Sequence, residues 1–132
     1  MGLLDRLRRG RPEPVPAYAD DGTLTLLLTA DDPARADSDV LAGVDLAAPV
    51  LVRHHLVGLP DEAAVALAGE LLGQDGYALT LLAGPPYAVR AWRTQVLTPL
   101  GAAQERSRMA GLAQRLGGDV RGYDVLGPEP RR

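Results

Sequence analysis

The sequence predicts an α+β domain organised as βαββαβ, a split βαβ unit with an antiparallel four-stranded sheet and two helices on one face. Two observations predict this class. Thr98-Pro99-Leu100 opens a helical pattern that runs to Leu116, and Gly117-Gly118 turns it straight into a short strand. Ahead of it, Pro49 to Leu97 reads as strand, helix, strand and strand, separated by Gly and Pro. The chain has 132 residues and no cysteine. A chain of this size buries roughly two thirds of its unfolded surface, so one core is expected without disulfide or metal.

Residues 1–16 are expected to be a basic N-terminus and a linker. MGLLDRLRR places Leu3, Leu4 and Leu7 on one helical face and Arg6, Arg8 and Arg9 around the rest. Three leucines offer little apolar area, so a frayed terminus is preferred here to a membrane or groove anchor. RPEPVP then reads as extended chain. Residues 17–48 form an N-terminal extension: an Asp21-Gly22 turn, a strand over Thr23–Thr29, and a short helix from Asp31-Asp32-Pro33 to about Leu41.

Residues 49–126 are expected to hold the main domain. In the first strand, Pro49 to Val57, one parity is Val50, Val52, His54 and Leu56; the other is Leu51, Arg53, His55 and Val57. The first set is the better core face. Pro60-Asp61-Glu62 opens a helix with Ala64, Val65, Leu67, Ala68, Leu71 and Leu72 on its apolar side. Tyr77 to Leu82 is a strand, broken by Gly84-Pro85-Pro86. The next strand, Tyr87 to Leu97, opposes Tyr87, Val89 and Ala91 to Ala88, Arg90, Trp92 and Thr94. In the second helix Thr98 caps, Pro99 takes the first position, and Met109, Leu112, Ala113 and Leu116 make one buried stripe. Residues 127–132 are disordered by composition.

The net charge of −3 argues against a general nucleic-acid binder. Residues 5–11 hold four Arg against one Asp, whereas residues 20–45 hold seven Asp against Arg35. The acidic run lacks the Gly and terminal Glu of a calcium loop. His54 and His55 point to opposite sheet faces and cannot chelate one ion together. We expect His54 to be a satisfied core histidine and His55 a surface one. Ser38 and Ser107, the only serines, sit in no nucleophile elbow or phosphate loop. No catalysis, metal or cofactor is implied, and with no apolar run of membrane-spanning length or signal peptide the expectation is a cytoplasmic protein.

The candidate site is the sheet face opposite the helices. Arg53, His55, Arg90 and Trp92, with Thr94 beside them, are expected to be exposed there on central strands. Trp and Arg dominate protein-interface hot spots, so a protein partner is the first reading. Single-stranded RNA is the second, with Trp92 stacking a base and the arginines meeting phosphate. A competing expectation is that residues 24–29, or a second copy of the chain, cover Trp92. A third functional reading is a homodimer joined through sheet edges, holding a small ligand between subunits.

Three stretches resemble the family of the regulator of ribonuclease E activity B (RraB, or ribonuclease E inhibitor B). They are Leu41-Ala42-Gly43-Val44-Asp45-Leu46; Val52-Arg53-His54-His55-Leu56 with Pro60-Asp61-Glu62-Ala63-Ala64 and Asp75-Gly76-Tyr77; and Thr98-Pro99 with its helix and Gly117-Gly118-Asp119-Val120-Arg121-Gly122-Tyr123-Asp124. Together they cover about residues 40–126. Val120 stands where the family pattern has an aromatic, Arg121 where it has Asp, and Tyr123 where it has Trp. Arg121 reverses a charge, so a contact made through that Asp does not carry over. The resemblance implies a ferredoxin-like domain without enzymatic activity that binds an endoribonuclease of the ribonuclease E type and modulates RNA turnover.

Overall fold

The computed structural model describes residues 17–128. The basic N-terminus and linker expected over residues 1–16, and residues 129–132 of the tail, lie outside them. The elements are β1 (Thr25–Ala30), α1 (Asp37–Val40), β2 (Val50–Leu59), α2 (Glu62–Gly73), β3 (Ala78–Ala83), β4 (Tyr87–Gln95), α3 (Pro99–Arg115) and β5 (Asp119–Gly127). The fold is α+β, with three helices and one five-stranded sheet ordered β1-β5-β2-β4-β3. Each neighbouring pair is antiparallel.

The sheet therefore has five strands where four were expected. β1, assigned from sequence to an extension, joins the same sheet along the outer edge of β5. Gly122 makes this approach close enough: a Cβ built on it would lie 2.0 Å from the Ala30 carbonyl oxygen, and its φ is +102°. Both facts call for glycine, because a side chain would collide and the backbone is left-handed. The segment from Asp31 to Val40 also departs from expectation. Asp32 forms a turn, its Oδ1 accepting from Ala34 N at 2.9 Å and its carbonyl from Arg35 N at 3.2 Å. Ala36 is then extended (φ −64°, ψ 139°), so the helix begins only at Asp37.

Both longer helices start as their sequences indicate. Asp61 Oδ1 accepts from Ala64 N at 2.8 Å, and Thr98 Oγ1 from Gly101 N at 3.0 Å, each satisfying an otherwise orphan donor. Ala64 and Leu72 of α2 share one core with Met109, Leu112 and Ala113 of α3 and with Leu56, Leu59, Val89 and Ala91 of the central strands. The two helices thus cover the same face. A second core joins Val50, Val52, Tyr123 and Val125 to Leu41, Leu97 and Ala102. Where β5 begins, a Cβ on Gly118 would sit 2.4 Å from the Val57 carbonyl oxygen, so the glycine pair lets α3 return tightly onto β2.

Candidate functional site

Alternation along β2 and β4 leaves Arg53, His55, Arg90 and Trp92 on the face away from the helices. Arg53 pairs in register with Trp92, and His55 with Arg90. The structure thus brings the four together. It does not leave them exposed. The side chains of Arg53, His55 and Arg90 keep only 18%, 26% and 23% of their accessibility, and Trp92 is half-buried.

Two carboxylates explain the difference. Asp124 of β5 stands opposite Arg53. Its Oδ2 receives Arg53 Nε at 2.6 Å and lies 2.5 Å from His55 Nε2, while its Oδ1 accepts from Thr29 Oγ1 at 2.9 Å. Burial alone would raise the Asp124 pKa; the hydrogen bonds from His55 and Arg53 outweigh it and bring it down to about 2. The second carboxylate is Asp20. Its Oδ1 accepts from Arg53 Nη1 at 2.9 Å, and its Oδ2 lies 2.9 Å from Arg90 Nε. Burial works against the Arg53 cation, yet its bonds to Asp124 and Asp20 hold its pKa above the usual arginine value.

The covering segment also differs from the expected one. Residues 24–29 lie mostly in the plane of the sheet as β1. Tyr18 and Asp20 instead come over the face: Tyr18 N donates to Thr94 Oγ1 at 2.7 Å, and Thr94 Oγ1 donates back to the Tyr18 carbonyl at 3.4 Å. Trp92 Nε1 donates to Thr80 Oγ1 at 2.9 Å, which fixes the indole along β3. An open groove of about 510 Å³ runs beside this segment, lined in part by Tyr18, Trp92, Thr94, Gln95 and Asp75. Leu51, read from parity as outward, is fully buried, as is its β5 partner Leu126 at 6% exposure. The face is apolar at that end and charged toward Arg90.

A second polar cluster lies under α3. Glu105 accepts from Gln95 Nε2 at 2.6 Å, from Arg93 Nη2 at 3.2 Å and from the Tyr77 hydroxyl. Burial would raise its pKa, but His54, Tyr77 and Gln95 together hold it at about 2. Burial and the neighbouring carboxylate push the Tyr77 hydroxyl well above its ordinary pKa. His54 is a core histidine, 2% exposed and packed against the rings of Tyr77 and Tyr123. It is not fully satisfied, however. Its Nε2 stands 3.7 Å from Glu105 Oε1 without a hydrogen bond, because that oxygen already serves Tyr77 and Arg93.

Sequence reasoning missed Asp20, Asp124, Tyr18 and Thr80. Asp124 left a signal: an acidic residue between Tyr123 and the apolar pair Val125-Leu126, on the parity of Leu126. Asp20 left none, since Asp20-Asp21-Gly22 reads locally as a turn. Asp21 does make that turn, its Oδ1 accepting from Thr23 N at 3.0 Å.

Fold and site together define a class: an α+β domain with one sheet face under two helices and a charge-paired face carrying the tryptophan. Compared with protein-family models, curated proteins and solved structures, the chain gives no match. Among the described residues no helix is long and apolar enough to cross a membrane.

Proposed function

We propose that the chain is a regulatory domain of ferredoxin-like build, without enzymatic activity, that acts in the cytoplasm by binding an endoribonuclease of the ribonuclease E type and modulating RNA turnover. Two things support the reading. One is the resemblance carried by the three sequence stretches above. The other is that β2 to β5 follow the βαββαβ order on a sheet ordered β5-β2-β4-β3, with Arg53, His55, Arg90 and Trp92 gathered on the face opposite the helices. The observation that carries a protein partner over RNA is the pairing of Arg53 and Arg90 with Asp124 and Asp20. Two arginines against two carboxylates leave no net positive field for a phosphate backbone, whereas Trp92 among paired charges suits a protein interface.

The test uses the full chain and a purified endoribonuclease of that type. Co-elution on gel filtration with a saturable change in the RNA cleavage rate is the expected result. No co-elution and an unchanged rate overturn the proposal. Tight binding of oligouridylate that falls steeply with salt and vanishes in Trp92→Ala would transfer the face to the RNA reading.

A further inference from the structure

We propose that Ala17–Asp20 is a displaceable strap, and that the face beneath it receives an extended acidic peptide segment of the partner, whose carboxylate takes the place of Asp20. The inference rests on the protein-binding reading and narrows the chemistry of the partner.

The charge of the face points to an acidic occupant. Arg53 and Arg90 face Asp124 and Asp20, and Asp20, with 3% of its side chain accessible, comes from outside the sheet. Lifting the strap leaves two arginines against one carboxylate. A buried arginine without a counter-charge is costly, so whatever replaces the strap must bring an anion.

The fit of the strap points to exchange. Asp20 Oδ2 and Arg90 Nε are 2.9 Å apart, yet the N–H does not point at the oxygen, and both buried atoms lack a hydrogen bond. Buried polar atoms in settled structure are nearly always paired, and a charged group left unpaired forfeits part of its desolvation. The hydrogen bonds of the strap to the sheet are three: Arg53 Nη1 to Asp20 Oδ1 at 2.9 Å, and the two between the Tyr18 backbone and Thr94 Oγ1. Ala17 and Ala19 are exposed and bring no apolar anchor. A four-residue contact in which one oxygen of its single carboxylate is left imperfectly placed yields to a ligand that completes it.

The backbone contact selects a peptide over a polynucleotide. Thr94 Oγ1 accepts from the Tyr18 N–H and donates to the Tyr18 carbonyl. A peptide supplies both groups at one residue, as Tyr18 does; in a polynucleotide the phosphates only accept and the donors lie apart from them on ribose and base. The occupant is therefore a protein segment with a carboxylate about two residues from the backbone group that meets Thr94, the spacing of Tyr18 and Asp20.

The experiment uses the full chain, with a fluorescent deca-glutamate peptide and a deca-uridylate as probes. The tethered Asp20 competes at high effective concentration, so Asp20→Asn should tighten deca-glutamate binding at least about tenfold. Adding Arg90→Gln to that variant should abolish the gain. In the wild-type chain, bound peptide should accelerate hydrogen exchange at the Tyr18 amide. That readout decides the matter if Asp20→Asn does not fold. Equal peptide affinity with and without Asp20, an unaltered Tyr18 exchange rate in the peptide complex, or preferential binding of deca-uridylate by Asp20→Asn would each overturn the proposal. The two readings fail separately. A nuclease complex that leaves Tyr18 protected ends the strap proposal alone, and peptide exchange without nuclease binding ends the nuclease reading alone.

Discussion

Replacing Asp124 with Asn tests the charged face where its geometry is tightest. The substitution keeps size and shape but removes the charge that Arg53 and His55 share through Oδ2, at 2.6 and 2.5 Å. The amide can turn its nitrogen toward Thr29, whose hydroxyl can rotate to accept, so no steric collision adds to the effect. The folded pKa of about 2 lies just under two units below the ordinary 3.8, and each unit is worth about 1.4 kcal/mol. Water reaches Arg53 and His55, at 18% and 26% accessibility, and screens part of this. We expect a loss of about 1–2 kcal/mol at pH 7, a fall in Tm of about 4–8 °C. The sign with pH follows from the depressed pKa. Stabilisation is complete above the unfolded value and is lost as pH falls toward the folded one, so roughly half should remain at pH 3. Urea denaturation followed by circular dichroism at pH 7, 5 and 3 measures this. A wild-type-like variant, or a deficit as large at pH 3 as at pH 7, would refute the reasoning.

Gly122→Ala should cost about 3 kcal/mol or more, because the new methyl meets the Ala30 carbonyl at 2.0 Å and the left-handed backbone adds strain. Amide exchange should show β1 released first. Glu105→Gln should lower stability by about 2 kcal/mol at pH 7 and much less at pH 3, since its pKa of about 2 lies below the ordinary 4.5 and its stabilisation is lost as pH falls between them; chemical denaturation at the two pH values checks it. Met109→Ala, which empties a site only 1% exposed, should cost about 2–5 kcal/mol. Leu100→Ala, at 69% exposure, should change stability by less than about 0.5 kcal/mol in the same denaturation assay.

The parts of this molecule legible in its sequence are those governed by short-range periodicity. Alternation along Val50–Val57 and Tyr87–Thr94 put Arg53, His55, Arg90 and Trp92 on one face, because the strand period of two needs no knowledge of distant residues. Capping chemistry likewise located Thr98, and Pro60-Asp61-Glu62 marked the start of α2. The fifth strand was not legible as part of the sheet, since its place beside β5 depends on Gly122 admitting the backbone at Ala30. Nor was the neutralisation of the arginines. Asp20 lies 33 residues from Arg53, and Asp124 lies 71; local pattern does not encode which distant carboxylate a guanidinium meets. The burial of Leu51 on the supposedly open face has the same origin, as parity assigns a side and not what covers it.

The chain contains one tryptophan, and it stands on the proposed docking face. Incorporating 5-fluorotryptophan gives a single 19F resonance that reports on this surface alone. Titration with an endoribonuclease of the ribonuclease E type should shift or broaden that resonance in step with complex formation. A complex that forms while the Trp92 signal keeps its position and width would place the contact elsewhere and contradict the account.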